Sequence, residues 1–364
     1  MVEDGDEQGT MTTAETSRKA AAQRFAAGGM GICTHWLGHP ETSADEWRRR
    51  VDAYDVEGLA DQLAQVGAAH LLFTLGQNSG HYAAPNETLG RLAPSLRDRC
   101  ASRDLISDLH AALNPRGIKL VVYLPSGAPV QDAGACRALG WEWGYDAAWP
   151  QILPGRQTSN RLAGFQRNWE SVVREWSLRW GRKIAGWWID GCYFADAMYR
   201  HPEAPNFQSL ADALRAGNPD ALLAFNPGVR LPLSRFAPVE DYTAGEFDVA
   251  LPEIPAQGTL DVIPHVLGYL GETWGRGDEP RFSDPLVSAY TRYVRDAGGV
   301  VTWDVPVGQR GRIEPVFLRQ LAAAGGKPSA VHGPGLRIPS VASTSPPIPG
   351  RSENEGGEVK WRFI

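Results

Sequence analysis

What the chain has little of narrows its function before any motif is considered. Only four cysteines occur, Cys33, Cys100, Cys136 and Cys192, with no CxxC pair and no histidine at metal-ligand spacing. That pattern suits free thiols and argues against a disulfide framework or a zinc site, so no metal is expected. No apolar run approaches the length of a membrane span. Basic residues are not in excess: 36 Lys and Arg stand against 42 Asp and Glu, a formal charge of -6 at pH 7. Nucleic acid and anionic membranes need basic patches, so neither is the expected partner. GxSxG, HExxH, P-loop and convincing dinucleotide fingerprints are missing, as are repeats at a fixed period, and no cofactor is implied. Residues 1–27 lack an apolar core of signal-peptide length whether the chain starts at Met1 or Met11, so the expected location is cytoplasmic.

What is present is a large apolar fraction, 43%, and 13 tryptophans in 364 residues, several beside polar or acidic groups. Tryptophan faces stack on the apolar faces of sugar rings, which points to a neutral carbohydrate partner, although core packing alone uses many of them. Strand-like runs occur at Gly31–Trp36, His70–Thr74, Lys119–Leu124, Ile184–Ile189, Leu222–Asn226, Asp241–Gly245, Val266–Gly271 and Val300–Asp304. Helical periodicity fills most gaps, at Val56–Val66, Asp104–Leu113, Phe165–Trp180, Phe207–Ala216, Asp284–Ala297 and Glu314–Ala324. Eight strands alternating with helices predict an α/β fold, a single-domain (β/α)8 TIM-like barrel over residues 28–326. Residues 1–27 read as a polar tail ending at most in a short helix, and 327–364 as a flexible Pro/Ser/Gly-rich tail. Long connections at Gly127–Asn160 and Pro227–Val239 are of lid length.

In such a barrel the C-terminal strand ends carry the chemistry. Ile184 to Ile189 is apolar throughout and ends in Asp190–Gly191, so Asp190 is a candidate catalyst, with a turn or N-cap aspartate as the plainer reading. His35 and Trp36 end the first strand, and Glu46–Trp47 follow, a pair that equally fits the exposed start of a surface helix. Gln77 and Asn78 offer donors and acceptors suited to neutral hydroxyls, or form a simple loop. Tyr123 and Asn226 end later strands. Glu240, Glu246 and Glu272 supply further acids near strand ends, and Asp190 with one of them makes a two-carboxylate site. Glycoside hydrolysis needs such a pair, because the leaving oxygen takes a proton while the anomeric carbon takes a nucleophile or an activated water.

Taken in order, these stretches resemble glycoside hydrolase family 29, the α-L-fucosidase family, from about Gly29 to Ala324. Gly31-Ile-Cys-Thr-His-Trp36 is similar to the family's first-strand motif and Trp187-Trp-Ile-Asp-Gly191 to its nucleophile strand, which implies Asp190 as nucleophile. Asp241-Tyr-Thr-Ala-Gly-Glu246 is similar to the acid/base segment, which implies Glu246. Glu272-Thr-Trp-Gly275 and Gly298-Gly-Val-Val-Thr-Trp-Asp304 look like the closing motifs. The resemblance implies a retaining exo-glycosidase for a terminal α-L-fucosyl or related sugar, with His35, Trp36, Glu46, Trp47, Gln77, Asn78, Tyr123, Trp188, Asn226, Glu272 and Trp274 around the sugar. Three departures stand out. Gln77–Asn78 replaces the usual His-His pair, Gly228 falls where an arginine often follows the strand asparagine, and the C-terminal tail does not match the family's β-sandwich. Two alternatives therefore remain: a carbohydrate-binding barrel without catalysis, and a glycosidase of the same fold for a sugar other than fucose.

Overall fold

The computed structural model describes residues 13–142 and 160–325. Seven parallel strands form its sheet: β1 Gly31–Thr34, β2 His70–Thr74, β3 Lys119–Pro125, β4 Gly186–Asp190, β5 Leu222–Phe225, β6 His265–Tyr269 and β7 Val300–Asp304. Their order is β5-β4-β3-β2-β1-β7-β6. Helices α1 Thr13–Ala27, α2 Ala44–Asp52, α3 Val56–Val66, α4 Glu87–Leu92, α5 Leu105–Leu113, α6 Ala133–Leu139, α7 Ala163–Trp180, α8 Ala195–Met198, α9 Phe207–Leu214, α10 Asp284–Asp296 and α11 Pro315–Ala324 accompany it. The six expected helices all appear, with ends shifted by at most two residues. Much of the Gly127–Asn160 connection and the 327–364 tail lie outside the described residues.

A sheet buried on both faces needs apolar residues at consecutive positions, and β4 shows why the runs were legible. Gly186 to Ile189 are buried, and only Asp190 at the strand end is partly open. Helix α7 covers the outer face with Trp169, Val172, Val173, Trp176 and Trp180, all at most 2% exposed. The Trp169 indole donates to the carbonyl of Pro125 at 3.0 Å, tying this helix to the end of β3.

The eighth expected strand, Asp241–Gly245, is not one. Its backbone pairs with the β6 side through isolated parallel bridges and not a continuous ladder, Tyr242 with Ile263 just before β6 and Glu246 with Leu267 within it. On the other side, carboxylates take the place of a strand's carbonyls. Asp241 accepts from the Leu223 N–H at 2.9 Å and Glu240 from the Phe225 N–H at 2.8 Å. The Leu223 and Phe225 N–H groups on the outer edge of β5 are thereby satisfied by side chains, and a single backbone bond, from the Asp241 N–H to the Leu223 carbonyl at 2.9 Å, joins the segment to that edge. Glu240 also accepts from the backbone of Phe236 and Ala237.

The N-terminal stretch expected to end at most in a short helix closes, within the described residues, on α1, and its Phe25 ring packs against His70 at 4.6 Å and Tyr242 at 5.3 Å at the strand beginnings. Above it a polar chain crosses the inside of the curled sheet: the Thr302 hydroxyl lies 2.8 Å from Nε2 of both His70 and His265. His265 Nδ1 faces the carbonyls of Thr243 and Ala244 and must carry a hydrogen there, which makes its Nε2 an acceptor. Thr302 then donates to His265 and accepts from His70. Burial lowers both imidazoles, His70 to about 3 and His265 to about 4.

Candidate active site

At the C-terminal ends of the strands lies a cavity of about 590 Å³, with Asp190, Glu246, Tyr123, Trp188, His35 and Trp274 among its walls. Each element delivers its side chain for a local reason. Gly191, at φ +72, turns the chain as soon as β4 has delivered Asp190 to the rim. Gly245, at φ +62, precedes Glu246, and a Cβ there would sit 1.8 Å from the carbonyl oxygen of His265. The chain can hug β6 at that point only with glycine.

Both oxygens of Asp190 accept hydrogen bonds, one from the Tyr123 hydroxyl at 2.5 Å and one from the Asn226 amide at 2.8 Å. The same Asn226 nitrogen donates to Glu246. Two bonds from one trigonal nitrogen bring the two acceptor oxygens within about 5 Å of each other. Burial, followed by the neighbouring Asp190, pushes Glu246 up to about 7, against the pull of Asn226 and His35. Glu246 therefore holds a proton well above the ordinary carboxylate range.

His35 Nδ1 pairs with Asp304 at 2.8 Å, and Asp304 is itself held by the Gly275 N–H at 2.6 Å. Burial opposes a charge on this imidazole. Asp304, with Asp190 and Glu246 farther off, outweighs that and raises it. Among the described residues, Cys33, His35 and Asp304 place a thiol, an imidazole and a carboxylate within 4.8 Å of one another. The His35–Asp304 hydrogen bond and the upward push of burial on the Cys33 thiol account for this group as a buried support beneath the cavity.

A family 107 endo-fucoidan hydrolase, MfFcnA4, superimposes with a TM-score of 0.64 at 17% identity, over 86% of this chain and 54% of that one. The α-L-fucosidase AlfC from Lactobacillus casei gives 0.58 at 17% identity, over 85% and 97%. The α-L-fucosidase isoenzyme 1 from Paenibacillus thiaminolyticus gives 0.56 at 18% identity, over 85% and 75%. The fold is shared with these glycoside hydrolases. The chain spans about half the length of the fucoidan hydrolase, and the likeness at this identity does not single out one family. No protein-family model and no curated protein matches the sequence.

Against this glycoside-hydrolase fold the expected site residues sort clearly. Asp190, Glu246, His35, Gln77, Asn78, Tyr123, Trp188 and Trp274 line the cavity. Trp188 stacks on Tyr123 at 5.2 Å and donates to the carbonyl of Ala244 at 3.2 Å. Gln77 spends its amide on the Tyr123 hydroxyl at 2.6 Å. Trp36 and Trp47 lie instead in the core: they pack on each other at 4.9 Å and donate to the carbonyls of Gln309 and Tyr82 at 3.0 Å. Glu46 is exposed at the start of α2, where its N–H is capped by Ser43. Glu272 is exposed outside the cavity wall, and Glu240 is spent on backbone N–H groups. Asn226 is fully buried and off the cavity wall. Arg230, two positions beyond the Gly228 that stands where an arginine often falls, is exposed and lies over Phe236 at 5.2 Å. Sequence reasoning passed over Tyr193, Asp248 and Tyr269, which also line the cavity, and the support role of Asp304. Only Asp304 had a signal, an acid ending an apolar strand as Asp190 does.

Proposed function

We propose that the chain is a retaining glycoside hydrolase that releases a terminal α-L-fucosyl or related α-L-sugar. The observation that carries this reading is one amide, Asn226, hydrogen-bonded to two carboxylates in a sugar-sized cavity, one of them protonated at about 7. Asp190 attacks the anomeric carbon while Glu246 gives its proton to the leaving oxygen. Ionised Glu246 then takes a proton from water, the water oxygen bonds to the anomeric carbon, and the Asp190 ester breaks. Oxygens of the two carboxyl groups held within about 5 Å of each other by one amide support the roughly 5 to 5.5 Å spacing of retaining enzymes over the roughly 6.5 to 9.5 Å of inverting ones. The partly exposed Trp274 on the cavity wall offers an apolar face for the sugar ring. The fold's occurrence in fucoidan hydrolases and α-L-fucosidases supports the choice of sugar.

A second reading, a sugar other than fucose, is favoured by Gln77, whose amide is committed to Tyr123 where the resemblance implies hydroxyl-reading histidines. A panel of aryl glycosides tests both: α-L-fucoside, α-L-glucoside, α-L-rhamnoside and β-D-galactoside. The expected result is turnover of the α-L-fucoside, lost in Asp190→Asn, with the α-anomer as first product by proton NMR. Turnover of another glycoside alone selects the second reading. Sugar binding without any turnover, or a first product of inverted configuration, overturns the proposed mechanism.

A further inference from the structure

We infer that Asn226 is a positioning residue that clamps the two carboxylates at their mutual spacing, and that it does not read the sugar. This rests on the proposed roles of Asp190 and Glu246, but the geometry behind it is independent of substrate. The residue ends β5 fully buried, and its main chain is locked to both flanks of Asp190. Its N–H donates to the Ile189 carbonyl at 2.7 Å, and its carbonyl accepts from the Cys192 N–H at 2.8 Å.

Its side chain has one permitted orientation. Oδ1 accepts the Gly228 N–H at 3.0 Å, so the other end of the amide is the nitrogen, with two hydrogens to place. One goes to Asp190 at 2.8 Å and the other to Glu246. No N–H remains for a sugar hydroxyl. Aspartate in this place would keep the Gly228 contact yet lose both donations, and alanine would leave two half-buried carboxylates facing each other with nothing between. Glu246 is faced by Asp190 from β4, Tyr193 from the turn after β4, His35 from beyond β1 and Asp248 from its own segment. Tyr123 of β3 faces Asp190. Against those groups, the Asn226 donor favours the ionised form of Glu246, so removing it makes Glu246 hold its proton to higher pH.

The test is a carboxyl carbon-13 NMR titration of protein labelled at glutamate, with the Glu246 resonance identified by its loss in Glu246→Gln. In Asn226→Ala and Asn226→Asp the Glu246 midpoint should move upward by about one pH unit, further in the aspartate variant because it adds a charge. Circular dichroism establishes that each variant is folded. If the alanine variant fails to fold, the isosteric Asn226→Asp supplies the reading. In parallel, the basic limb of kcat/KM for the aryl glycoside should rise by the same interval. An unmoved Glu246 midpoint in a folded variant overturns the inference, as does a raised KM with limbs unchanged, the signature of sugar reading. Should the wild type turn over no glycoside while the midpoint still moves, the clamp stands and the hydrolase reading falls. Turnover with an unmoved midpoint gives the reverse.

Discussion

Replacing Glu246 by glutamine should stabilise the protein while impairing its proposed chemistry. Burial and Asp190 carry Glu246 from its ordinary 4.5 to about 7. Below 4.5 the group is neutral in the folded and unfolded chain alike, and nothing is lost. Between 4.5 and about 7 the unfolded chain ionises the group while the folded protein keeps its proton, so stability falls across this window and stays level at the lower value above it. A gap of about 2.5 pH units corresponds to about 3 kcal/mol once both states are ionised. Glutamine carries no charge at any pH and still accepts from Asn226 through its carbonyl. At about pH 8 the variant should therefore melt roughly 6 °C above wild type, and near pH 5 the difference should shrink to a degree or two. Differential scanning calorimetry of both proteins at the two pH values measures this directly, since effects of other groups cancel in the difference. The same variant should lose about 10²- to 10⁴-fold in kcat/KM on a glycoside with a poor leaving group and much less on a nitrophenyl one, which leaves without a proton, while kcat falls on both because release of the Asp190 ester still needs Glu246 as base. Equal melting differences at both pH values would refute the argument, because they would mean that Glu246 does not hold its proton in the fold.

Three further outcomes follow from the same geometry. Tyr123→Phe removes a donor from Asp190 and orphans the Gln77 amide, a loss of about 1.5 to 3 kcal/mol for a bond to a charged group, read as a roughly ten- to hundredfold fall in kcat/KM. Gly245→Ala places a methyl 1.8 Å from the His265 carbonyl on a positive-φ backbone, so soluble yield or melting temperature should drop sharply even though no functional group is altered. His70 and His265 are held neutral with values lowered to about 3 and 4, so the unfolded chain binds protons first as pH falls below about 6.5. Measured by urea titration relative to a His70→Asn, His265→Asn double variant, so that the opposite contributions of the raised Glu246 and Glu240 cancel, the stability of the wild type should decline from about pH 6.5 to pH 4, and a flat difference there would count against the neutral Thr302-bridged pair.

Much of the architecture was legible because a two-faced parallel sheet demands unbroken apolar runs and its covering helices demand a 3.6-residue period. Asp190 could be singled out for the same reason: an acid at the tip of Ile184–Ile189 breaks that rule. The Asp241–Gly245 run misled, since its apolar character matches a strand while the neighbouring Glu240 and Asp241 carboxylates cap the edge it would have paired with. Trp36 and Trp47 misled in a related way. An indole beside a polar residue looks the same in sequence whether its N–H meets a ligand or, as here, a backbone carbonyl of the core.

The sequence by itself determined the succession of strands and helices, and hence which polar residues come to strand ends, because those depend on hydrophobic period within a few turns of chain. Only the tertiary structure decided which of those residues meet. Glu240 and Glu246 are six positions apart, yet one spends its oxygens on backbone N–H groups and the other reaches Asn226 and the cavity. The difference lies in sheet curvature and in burial, which set side-chain direction and proton affinity together, and neither is written in local pattern.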